Sequence, residues 1–98
     1  MREGIKKIVL SIIEEYNSEA SEKIDTSAGE KARLFGGGGV LTSINLVSLV
    51  VMIEEAIEIE FDRSIVLADE KAMSRRISPF ASVGTLIDYI EELLLNSK

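Results

Sequence analysis

Residues 41–58 read LTSINLVSLVVMIEEAIE, and their spacing predicts one amphipathic helix. At about 100° per residue, Leu46, Leu49, Val50, Ile53 and Ile57 fall on one side as a full core-facing stripe. Ile44, Val47 and Val51 fall on the opposite side, followed by Glu54, Glu55 and Glu58. The first half of the helix is therefore apolar on both faces, and the second half is acidic on its outer face. One stripe suffices for packing. The second lies under a further helix or loop, or it forms a partner-docking surface, a small apolar patch edged by carboxylates. Thr42 and Ser43 open the helix, and either suits the N-cap. Four consecutive glycines, Gly36 to Gly39, lead into it with a backbone freedom that no other residue offers.

Upstream, residues 4–16 are expected to form a helix, with Ile5, Ile8, Val9, Ile12, Ile13 and Tyr16 at helical spacing. Residues 17–40 then read as a long connection, either a plain linker or a functional loop. Within it Lys31 to Phe35 are expected to make a helical turn anchored by Leu34 and Phe35. Downstream, residues 59–66 read as an extended connection whose Ile59, Phe61 and Ile65 plug the core. Residues 69–76, DEKAMSRR, suit a short helix, with acids at its start and Arg75-Arg76 at its end as the macrodipole favours. Ser78-Pro79-Phe80 breaks it. Ser82 caps a last helix, VGTLIDYIEELLL, whose core stripe is Val83, Leu86, Ile87, Ile90, Leu93 and Leu94. No strand pairing, internal repeat or second domain is evident, so residues 1–98 are expected to be one domain.

Composition narrows the chemistry. The chain of 98 residues is 46% hydrophobic and 29% charged, a globular composition that supports one modest core. It has no cysteine, which removes disulfides and thiolate metal sites. It has no histidine, which removes Ser-His-Asp triads and imidazole metal sites together. No metal site and no intrinsic catalysis are expected. The net charge of −6 disfavours nucleic acid, since neutralising phosphates needs clustered Lys and Arg. No apolar run approaches the ~20 residues of a membrane span. The opening MREGIKKIVLSIIEE mixes charge into its apolar run, unlike a signal peptide. The expected location is cytoplasmic, and the expected state is a monomer.

Serine at a helix start is commonly a cap and nothing more. Nucleophilic catalysis by Ser43 requires an adjacent base, and no histidine exists to supply one. A helix N-terminus nevertheless has unpaired N–H groups and a positive dipole end, so a phosphate attached there is favoured. A serine displayed at such an end, beside a second apolar stripe, suits a phosphodiester-linked group to which enzymes dock.

Thr42-Ser43-Ile44, then Val47, Leu49-Val50 and Ile53-Glu54-Glu55, with Ile57, Ile59 and Phe61 following, resemble the acyl carrier protein family. That family's signature is Asp-Ser-Leu at the opening of its second helix, with apolar positions at this spacing after it. The final SVGTLIDYIEELL is similar to the family's last helix, and the resemblance covers essentially the whole chain. It implies a small all-α four-helix bundle of acyl-carrier-protein type, three main helices plus one short one.

The resemblance further implies that Ser43 receives 4′-phosphopantetheine from coenzyme A through a separate phosphopantetheinyl transferase. The arm's thiol would then carry an acyl group as a thioester and present it to partner enzymes. Those partners are an acyl-loading ligase or transferase and downstream acyl-using enzymes. Ile44, Val47 and Val51 match the family's apolar recognition positions, and Glu54 and Glu55 its acidic ones. Departures fall at Thr42, where the family usually has aspartate, at Asn45 and Ser48, and in a longer 63–81 segment. They point to a specialised carrier with dedicated partners in place of the housekeeping fatty-acid one. Two alternatives stay open: an aminoacyl or peptidyl carrier of a modification or nonribosomal pathway, and an unmodified carrier-like helical adaptor.

Overall fold

Aliphatic residues recur every third or fourth position from Ile5 to Ile13, and this stripe organises the bundle. In the computed structural model, which describes residues 1–67 and 78–96, the first helix α1 spans Arg2–Asn17 and buries Ile5, Val9 and Ile13. The second, α2, spans Ser43–Phe61, and the third, α3, spans Val83–Asn96. α1 packs against both α2 and α3, so its apolar stripe is the common wall of the core. Among the described residues the architecture is all-helical, a small helical bundle with two isolated bridges and no strand. The short helix expected at 69–76 lies outside the described residues.

The connection after α1 is tied down. The Asn17 side chain brackets Ile24 with two 2.9 Å bonds, donating from Nδ2 to the Ile24 carbonyl and accepting the Ile24 N–H at Oδ1. Ile24 is thereby turned into the core. A 3-10 turn follows at Gly29–Lys31, earlier than the helical turn expected at Lys31 to Phe35. The chain from Ala32 is instead extended. The Leu34 N–H donates to Ala81, the Phe35 N–H to Phe80, and the Val83 N–H returns to Ala32. These bonds compete successfully with a helical turn because the partner segment already presents its carbonyls. Arg2 adds a staple across three elements, pairing with Glu30 at 2.6 Å and with Asp88 on α3. Those two hydrogen bonds, Glu30 first, hold the guanidinium above its already high ordinary pKa.

The glycine run is a shaped turn. Gly36 and Gly38 take φ of +93° and +83°, in the left-handed region that side chains disfavour. The Gly39 N–H closes the turn on the Gly36 carbonyl at 2.9 Å. A Cβ at Gly39 would lie 2.4 Å from the Leu34 carbonyl oxygen, so no other residue fits that position without a backbone shift. That same oxygen accepts the Leu41 N–H at 3.2 Å. Leu34 thus ties the start of α2 to the segment that leads into α3.

α2 runs further than its spacing suggested, three residues past Glu58. Ile59 is helical and 84% exposed, which corrects the expectation that it plugs the core. Helical geometry carries it round to the solvent side. Phe61 packs against the core and Ile65 is buried, as expected. Asp62 ends the helix in a left-handed conformation, φ 54°, with its N–H on the Glu58 carbonyl.

Candidate functional site at the start of the second helix

The first turn of α2 settles which hydroxyl is the cap. Thr42 has extended backbone geometry, and its Oγ1 accepts the Asn45 N–H at 3.2 Å. Its carbonyl accepts the Leu46 N–H at 2.8 Å. Thr42 therefore fills the N-cap position, and Ser43 is the first helical residue. Ser43 is exposed, and its hydroxyl has no hydrogen-bond partner among the described residues. Its own N–H and that of Ile44 belong to the first turn and have no intrahelical acceptor. A free hydroxyl, two free amide donors and a positive dipole end meet at one point.

The two faces of α2 separate as their spacing predicts. Leu49, Val50, Ile53 and Ile57 are buried, and Leu46 packs partly against the core. Ile44, Val47 and Val51 are 79, 56 and 45% exposed. The second stripe is solvent-facing in the described structure. α2 carries no Lys or Arg, and its acids are Glu54, Glu55, Glu58 and Glu60. Glu55 is exposed. Glu54 differs: it is half-buried, and its Oε2 accepts the Leu67 backbone N–H at 2.7 Å. Sequence spacing placed Glu54 with Glu55 on the outer face, and a long-range bond to a backbone amide leaves no mark in spacing.

A third row, Asn45, Ser48 and Met52, faces the end of α1. With Tyr16, Val40 and Thr42 it lines an open cleft of about 550 Å³. The polar residues at 45 and 48 belong to this cleft wall, with Ser48 bordering the apolar row between Ile44 and Val51. Among the described residues no group of acidic, histidine or cysteine side chains is placed to hold a metal ion. No described helix is long and apolar enough to cross a membrane. Compared with known proteins, the chain matches no family model, no curated protein and no solved structure.

Proposed function

We propose that this protein is a carrier: Ser43 is esterified with 4′-phosphopantetheine, and the arm's thiol carries an acyl or aminoacyl group to partner enzymes. The single observation that supports this most is the unengaged Ser43 hydroxyl beside a dedicated Thr42 cap. Thr42 alone supplies the cap, so the Ser43 oxygen at the helix N-terminus is available for modification. In the transfer, the Ser43 oxygen bonds to the phosphorus bearing pantetheine in coenzyme A. The diphosphate P–O bond breaks, the adenosine bisphosphate leaves, and the serine proton passes to a base of the transferase. The new phosphodiester rests at the helix N-terminus, where the free N–H groups and dipole stabilise its charge. The departure at Thr42 removes a negative charge but keeps the cap, since threonine accepts the same N–H that an aspartate would.

Ile44, Val47 and Val51, with Glu55 beyond them, offer the transferase and loading enzymes an apolar row edged by acid. Cargo is chosen by the loading enzyme. The exposed row equally suits an unmodified adaptor, and one measurement separates the two. The protein is incubated with coenzyme A, magnesium and a broad-range phosphopantetheinyl transferase, then weighed intact. A gain of one phosphopantetheine that is absent in Ser43→Ala supports the carrier. No gain with several such transferases sinks it and leaves the adaptor.

A further inference from the structure

Glu54 lies on the flank of α2, between the core stripe and the exposed apolar row, three residues after Val51 and seven after Val47. Its bond to the Leu67 N–H joins a carboxylate to a backbone donor, the stronger class of hydrogen bond. Burial alternates along the bonded segment. Ile65 and Leu67 are buried, while Val66 between them is 59% exposed. The Leu67 nitrogen is covalently joined to the Val66 carbonyl carbon, so the bond fixes Val66 next to Glu54, on the flank of α2 where Val51 and Val47 stand about one and two turns earlier.

We propose that Val66 is a fourth apolar residue of the docking face, with Ile44, Val47 and Val51. Glu54 is the positioning residue that holds it there, and it is not itself a charge read by the partner. The acidic share of the face then belongs to Glu55 and Glu58, both exposed, four and seven residues beyond Val51. With no cation on α2, the partner that fits is a protein surface with an apolar hollow and Lys or Arg on the side meeting Glu55 and Glu58. This rests on the carrier reading, because the partner tested is the enzyme that modifies Ser43.

The experiment is steady-state phosphopantetheinylation with the protein as varied substrate. Val66→Ser and Val66→Glu are expected to raise KM roughly three- to tenfold with kcat unchanged. Glu54→Gln keeps an oxygen for the Leu67 N–H and is expected to stay within about twofold of wild type. Glu54→Ala loses the acceptor and should match Val66→Ser. A Glu55→Gln, Glu58→Gln double variant should raise KM and flatten its dependence on salt. Circular dichroism melts check folding, and Val66→Ser carries the test if Val66→Glu does not fold. Wild-type KM in Val66→Ser overturns the inference, as does a Glu54→Gln variant as impaired as the Glu55/Glu58 pair. Failure of several transferases to modify the wild type overturns the carrier reading and this inference with it. Modification of the wild type with Val66→Ser unaffected overturns this inference alone.

Discussion

α2 and α3 open with the same kinds of residue and use them differently. At α3, Ser82 is buried and every hydroxyl is engaged. The Thr85 N–H donates to Ser82 Oγ at 3.3 Å, and the Ser82 N–H donates to Thr85 Oγ1 at 3.0 Å. This is a reciprocal capping box with threonine in the usual acidic place. At α2 one hydroxyl, Thr42, caps, and the next, Ser43, is left over. The apolar residues repeat the contrast. Val83, Leu86, Ile87, Tyr89, Ile90 and Leu94 of α3 are all buried, whereas α2 divides its apolar residues between core and solvent. Apart from Leu95 near its end, which is 68% exposed, α3 turns its apolar residues to the core, whereas α2 keeps a hydroxyl and an apolar row that the core does not need.

The most drastic way to break the contrast is at the two serines. Ser43→Ala is expected to abolish phosphopantetheinylation completely while shifting stability by less than about 0.5 kcal/mol, as for an exposed side chain with no partner. Ser82→Ala should be modified at the wild-type rate. Intact mass and a urea titration read both quantities. A stability loss in Ser43→Ala comparable to a lost cap would make Ser43 structural and erase the distinction.

The apolar residues give the next largest effect. Ile87 is fully buried on α3, so Ile87→Ala is expected to cost about 2–5 kcal/mol through lost transfer energy and a cavity. Val51→Ala, in the exposed row of α2, should cost less than about 0.5 kcal/mol. Val51→Glu should also stay folded, while weakening modification and loading. Unfolding of Val51→Glu by circular dichroism would show that the outer row belongs to the core.

The helices were legible because periodicity reports burial directly. Each expected core residue of α3 is buried or packed against the core, and the two stripes of α2 separate as their angles require. The free state of Ser43 was legible only as one of two options, since sequence does not say which of Thr42 and Ser43 caps. What escaped were contacts between residues far apart in the chain. The extended path of Ala32 to Phe35 depends on carbonyls at Phe80 and Ala81, and composition alone favours a helical turn there. The Glu54 bond to Leu67 is equally invisible to helical angles. Two local patterns do mark these features. An Ile65-Val66-Leu67 run points one residue outward if its neighbours point in. Four glycines before a helix also suit a fixed tight turn as well as a free one.

The smallest effect tests the caps themselves. Thr42 makes one side-chain bond at an exposed helix start, so Thr42→Ala is expected to cost about 0.5–1 kcal/mol. Ser82→Ala should cost more, about 1–2 kcal/mol, because it also leaves the Thr85 N–H without its acceptor in a part-buried setting. Thr42→Asp separates geometry from charge at α2. It keeps the acceptor for the Asn45 N–H and adds a negative charge at the positive end of the dipole, so stability should rise by about 0.3–1 kcal/mol. If basic residues of the transferase read charge next to Ser43, Thr42→Asp should also lower KM for a broad-range transferase and steepen its salt dependence. An unchanged KM with raised stability would mean that position 42 serves the helix alone, and that recognition lies entirely on the apolar row and the acids beyond it.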